Sequence, residues 1–164
     1  DFGGTTALPL IDDFENVLVL RTLSKSYSLA GARIGLAFAR AELIADLCKV
    51  KDSYNVSRLA QAAGSAALED AGWMEANVAR VRLTRDRVRG ELLRLGFRVP
   101  PSAANFLWVD CGTAGGAAVY RSLRERGVLV RFFDVPTLRA GVRVTIGSDE
   151  DMDRFLEAMA ESRP

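Results

Sequence analysis

The sequence has 164 residues, 49% hydrophobic and 26% charged, which suits one globular domain or pieces of two. Its formal net charge of +1 gives no global attraction to nucleic acid or to an anionic surface. It contains no histidine, which excludes Ser-His-Asp and Cys-His catalysis within the chain.

Val17-Leu18-Val19-Leu20 is a short apolar run bounded by polar residues, the pattern of a fully buried parallel strand. Residues 33–39 read as a second buried strand. A helix is predicted from Ala41 to about Val50, with Leu43, Ile44, Leu47 and Val50 on one stripe. After a polar break, Ser57 is placed to cap a helix from about Arg58 to Asp70. Gly72 interrupts that pattern, and from Trp73 apolar residues recur at helical spacing as far as Leu95, with Gly96 as a C′ stop. This long helix is expected to bridge two parts of a larger molecule.

Phe97-Arg98-Val99 is strand-like, 100–102 a turn, and Asn105 to Cys111 a strand. Gly115 to Arg126 is a helix stopped by Gly127. Residues 128–133 form a strand, 134–141 a loop, and 142–146 an alternating strand. Ser148 caps a last helix with Asp149, Glu150 and Asp151 in its first turn. From Phe97 onward the order is that of a compact α+β unit. Cys48 and Cys111 lack metal spacing and read as reduced packing residues. No run approaches the roughly 18 apolar residues of a membrane span, and no signal peptide is visible, so a cytoplasmic protein is expected.

Chemistry concentrates in Thr22-Leu23-Ser24-Lys25-Ser26-Tyr27-Ser28-Leu29-Ala30-Gly31. Lys25 follows a strand, at the kind of strand end where α/β folds place ligands. Ser24 supplies a hydroxyl beside it, and Arg33 a guanidinium eight residues on. Such a pair can hold a phosphate. A partly desolvated lysine near a cation has its neutral amine favoured and becomes a nucleophile toward aldehydes.

This run resembles the class II pyridoxal-phosphate attachment signature, and its continuation Ala32-Arg33-Ile34-Gly35 matches as well. Pro101 to Leu107, Arg126 to Arg131 and Gly141 to Ser148 look like segments of the histidinol-phosphate aminotransferases. The chain is thus similar to the C-terminal portion of a fold-type I aminotransferase of class I/II. The implied fold is α/β: a remnant of the large parallel-sheet cofactor domain over residues 1–57, then the small α+β C-terminal domain with its bridging helix over 58–164.

The resemblance implies pyridoxal 5′-phosphate as cofactor, held covalently by Lys25, with Ser24 and Arg33 on its phosphate. It implies that Arg143 binds the substrate α-carboxylate, that Arg131 binds its distal phosphate, and that freed Lys25 moves a proton as general base and acid. Transamination of an amino acid or amino alcohol phosphate with 2-oxoglutarate is the expected reaction, in a homodimer with no nucleic-acid or membrane partner. A phosphothreonine-type decarboxylase and a non-catalytic truncated unit are the alternatives. The chain opens Asp1-Phe2-Gly3-Gly4 without Met. In the family, the aspartate on the cofactor ring nitrogen, the ring-stacking aromatic and the first phosphate-binding turn lie upstream of the matching position. These 164 residues are therefore expected to be inactive alone or to bind cofactor weakly, with core exposed on residues 1–57.

Overall fold

The structure, a computed structural model, describes residues 1–162. Arg163 and Pro164, the end of the expected second domain, lie outside the described residues. Two compact units are present: residues 3–78 with Asp1, and residues 79–162 with Phe2. They divide inside a helix, between Val78 and Ala79, whereas the sequence places a break at Ser57.

The first unit begins with α1 (Leu10–Asp13), followed by β1 (Val19–Thr22), a 3-10 turn (Ala30–Ala32) and β2 (Gly35–Phe38). The helices α2 (Ala41–Val50) and α3 (Arg58–Glu69) follow, and α4 (Ala71–Arg94) starts here. β1 and β2 pair antiparallel, from Val19 opposite Phe38 to Thr22 opposite Gly35. This corrects the reading of Val17 to Leu20 as a fully buried parallel strand. Among the described residues no third strand joins this ribbon. Its faces stay open, and Leu20 is 70% exposed. Periodicity recognised the strand, but a valine-leucine run carries no signal for the direction of its neighbour.

Among the buried residues of this unit are Leu23, Ser26, Ala60 and Gly64, and α3 meets Leu23 at Gly64. A Cβ on Gly64 would lie 2.9 Å from Ile34 Cδ1 and 3.6 Å from Leu23 Cδ1, so the absent side chain permits the close approach. Ser57 caps α3, accepting the Ala60 N–H at 3.1 Å. Arg40 donates to the Ile11 and Asp12 carbonyls at 3.0 and 2.5 Å, tying the end of α1 to the start of α2. On α2, Leu43, Ile44 and Leu47 are half-buried, but Val50 is 83% exposed. Cys48 is also exposed, which corrects its reading as a packing residue.

In the second unit, β3 (Phe106–Asp110), β4 (Arg131–Phe132) and β5 (Gly141–Thr145) form an antiparallel sheet in the order β3-β5-β4. The helices α5 (Gly116–Glu125) and α6 (Asp149–Ala160) complete it, with a 3-10 turn at Gly112–Ala114. The strand predicted over 97–99 is reduced to one bridge, Arg98 to Asp110, and the predicted 128–133 strand to β4. Leu107, Val109, Val142 and Val144 face a continuous core with Val88, Leu92, Leu123 and Phe155. The alternation of the strands leaves Trp108, Arg143 and Thr145 on the opposite face.

Gly96 (φ 94°) ends α4 in a Schellman motif, with Phe97 N–H on Leu92 O and Gly96 N–H on Leu93 O. Gly127 (φ 76°) ends α5 in the same way. α6 opens with a reciprocal capping box between Ser148 and Asp151. Arg87, on α4, bridges Asp149 and Asp153 at 2.9 and 2.6 Å.

Candidate active site

Lys25 lies in the segment joining β1 to β2, a loop that backbone hydrogen bonds close on itself. Leu23 N–H donates to Ile34 O at 3.3 Å, Leu29 N–H to Leu23 O at 3.1 Å, and Ser28 N–H to Lys25 O at 3.0 Å. Two non-glycine residues in this loop take the left-handed conformation, Ser28 (φ 56°) and Arg33 (φ 57°). Such residues cost on the order of 1 kcal/mol or more and persist where the surroundings over-determine them, commonly at functional sites. Arg33 is steadied by its own loop, donating to Ala30 O at 2.9 Å.

Ser24 is fixed from behind. Its N–H donates to Thr22 Oγ1 at 3.1 Å, and the Thr22 hydroxyl donates to Ser24 Oγ at 2.9 Å. Leu23, on one side of Ser24, is buried at 2% exposure, and Ser26, beyond Lys25, at 3%. The loop is thus anchored at alternate positions, while Lys25 itself is exposed. Ser26 Oγ donates to the Asp1 carboxylate at 2.5 Å, and Arg21 pairs with the same carboxylate. Asp1, Arg21, Thr22 and Ser26 are supports that the sequence reading does not assign. Asp1 is 25 residues from its Ser26 partner, and no local spacing signals it.

A depression of about 490 Å³ in this unit is lined by Leu23, Ile34, Lys51, Asn55, Gln61 and Gly64 among others, and Lys25 is not on its wall. Ser24, Lys25 and Arg33 share one closed loop, outside the wall of this depression. The donor set itself fits a phosphorylated aldehyde: an exposed primary amine, a hydroxyl held in place, and a guanidinium capable of bidentate phosphate contact.

Arg131 and Arg143 belong to the second unit. They stand directly opposite each other across the β4–β5 pair. Among the described residues neither forms an ion pair, and Arg143 Nε is buried without a hydrogen-bond partner. Aromatic rings take the place of carboxylates. Arg131 lies 5.0 Å from the Phe133 ring centroid; Arg143 lies 5.8 Å from the same ring and 5.3 Å from Phe106. The sequence reading overlooks Phe133, although it stands two residues beyond Arg131, the spacing that returns to one face of a strand. Among the described residues no acidic or thiol cluster is arranged to hold a metal, and no helix is long and apolar enough to cross a membrane.

A lysine loop between two antiparallel strands is thus followed in the chain by a small α+β unit whose sheet carries two arginines that, among the described residues, form no ion pair. Residues 1–159 match the family "Aminotransferase class I and II", and the chain belongs to that family. It is 48% identical over 161 residues to the histidinol-phosphate aminotransferase of Geotalea uraniireducens, covering 98% of this chain and 46% of that protein. It is 46% identical over 164 residues to that of Citrifermentans bemidjiense, covering all of this chain and 47% of that protein. The crystal structure of histidinol-phosphate aminotransferase from Sinorhizobium meliloti in complex with pyridoxal-5′-phosphate superposes with a TM-score of 0.80 at 31% identity, covering 93% of this chain and 43% of that one. The chain spans about half the length of the curated relatives it matches.

Proposed function

We propose that this chain carries the lysine-bearing part of a pyridoxal-phosphate-dependent aminotransferase acting on an amino acid or amino alcohol phosphate of the histidinol-phosphate kind, with 2-oxoglutarate as acceptor. The observation that carries the reading is the Lys25 loop: an exposed amine between anchored neighbours, with the Ser24 hydroxyl and the left-handed Arg33 in one closed segment. Residues 1–57 are assigned to the cofactor domain and 58–164 to the small domain, in a homodimeric whole enzyme.

Pyridoxal phosphate, when bound, supplies the electron sink for reaction at the substrate Cα. Ser24 and Arg33 would hold its phosphate. Lys25 Nζ would hold its carbonyl carbon and would serve as base and acid for the substrate Cα proton. Arg143 binds the substrate carboxylate through bidentate N–H donors, and Arg131 binds the distal phosphate. Lysine occurs only at positions 25, 49 and 51, so covalent trapping has to resolve only these three amines and the Asp1 α-amino group. After incubation with excess pyridoxal phosphate and borohydride reduction, the label is expected on Lys25 in preference to Lys49 and Lys51, and lost in Lys25→Ala. Equal labelling of the three lysines overturns the assignment of Lys25. The chain alone is expected to give no robust transamination with histidinol phosphate and 2-oxoglutarate.

A further inference from the structure

We infer that Phe133 is a positioning residue: its ring holds Arg131 and Arg143 side by side and leaves their N–H groups to anions, an inference resting on the reading of these two arginines as the substrate's anion site. Two like charges directly opposite on neighbouring strands repel. A carboxylate between them is the ordinary remedy, and among the described residues none pairs with either. The Phe133 ring lies 5.0 Å from one guanidinium and 5.8 Å from the other, within cation–π range of both. A ring face attracts a cation without occupying its N–H donors. A carboxylate would occupy those donors and cancel the charge that recruits an anion. Phe106 flanks Arg143 from 5.3 Å, so that guanidinium has a ring contact on each of two residues, while its Nε stays without an acceptor.

Phe133 is half-buried and is not part of the buried core cluster, so its role is separable from folding. The experiment is a titration of the 164-residue chain with inorganic phosphate at low ionic strength, followed by NMR of the arginine side chains, with Tm measured in parallel. Phe133→Leu is expected to weaken phosphate binding by roughly three- to tenfold at unchanged Tm, and Phe133→Tyr, which keeps the ring, to restore it. Phe133→Met serves as the second ring-less variant if Phe133→Leu folds poorly. Phosphate affinity in both ring-less variants within twofold of the parent, while Arg131→Ala and Arg143→Ala lose binding, overturns the role of Phe133 and leaves the anion site standing. Absence of phosphate binding in the parent, or parental binding in both arginine variants, overturns the anion site and the inference together.

Discussion

The two units hold their candidate site residues by different means. In the second unit the arginine-bearing sheet lies on a continuous core, with Leu107, Val109, Leu123 and Val142 fully buried. In the first unit few side chains are buried, Leu23 and Ser26 among them in the lysine loop, and order at Lys25 depends on short-range hydrogen bonds and two strained backbone positions. Apolar side chains that a sheet-and-helix unit ordinarily buries stay open there: Leu20 is 70%, Val50 83% and Leu59 85% exposed. Local opening follows the density of buried contacts, so the first unit is expected to open more readily than the second.

Core truncation gives the largest contrast. Phe155→Ala removes a ring that is 1% exposed and is expected to cost about 3–5 kcal/mol in the second unit's unfolding transition. Leu20→Ala, at a largely exposed position, is expected to stay within about 0.5 kcal/mol. Denaturant unfolding read by Cys111 labelling reports the second unit, and circular dichroism reports both. Cys48 is exposed and serves as reference. Burial, with the nearby Asp110 charge, pushes the Cys111 thiol up to about 11, so it reacts only when the second unit opens. Comparable losses for both substitutions would show that the units share one stability.

Glycine packing sharpens the same contrast at a smaller scale. A Cβ on Gly116 would meet Gly141 O at 2.4 Å and Arg139 O at 2.8 Å, both backbone atoms that cannot turn aside. Gly116→Ala is therefore expected to cost about 1–3 kcal/mol or more. Gly64→Ala meets the mobile end of Ile34, and its cost is offset by a helical propensity gain of about 1 kcal/mol, leaving a small net change. Equal penalties at the two positions would place the first unit's packing on a level with the second. The caps follow: Ser148→Ala breaks a reciprocal box and is expected to cost about 1 kcal/mol, and Ser57→Ala, which loses a single bond, less. Differential scanning calorimetry of each variant against the parent checks the order.

The legible parts of the sequence were those with local periodicity or local chemistry. The helices at 41–50 and 58–69 and the caps Ser57, Ser148, Gly96 and Gly127 follow from spacing and residue type. That Ser24, Lys25 and Arg33 fall in one loop follows from their lying within ten residues. Strand direction was not, because it depends on which strand pairs alongside. Neither the left-handed backbone at Ser28 and Arg33 nor the Asp1 contact to Ser26 has a sequence signal, since both are imposed by tertiary closure. The Arg131–Arg143 pairing required the β4–β5 register, which two separated strands do not announce.

Acid titration gives the finest test of how the second unit is held. The Asp149 carboxyl is lowered from its ordinary value of 3.8 first by the Arg87 guanidinium and then by the Thr84 hydroxyl. Asp151 is lowered by the hydroxyl and N–H of Ser148, and Asp110 by the Gly112 N–H and then by Arg98. In each case the folded state holds its proton less tightly than the unfolded chain does. The stabilisation is therefore complete above the unfolded value and is lost as pH falls through 3.8 toward the folded pKa. The second unit's unfolding midpoint is expected to fall between about pH 5 and pH 3, and Asp151→Asn, which removes one of the three groups, to make that fall shallower. A midpoint that stays flat over this interval, or a slope unchanged in Asp151→Asn, would mean that the cap and the Arg87 bridges hold α6 no more tightly than water does, and that the second unit's advantage lies in its apolar core alone.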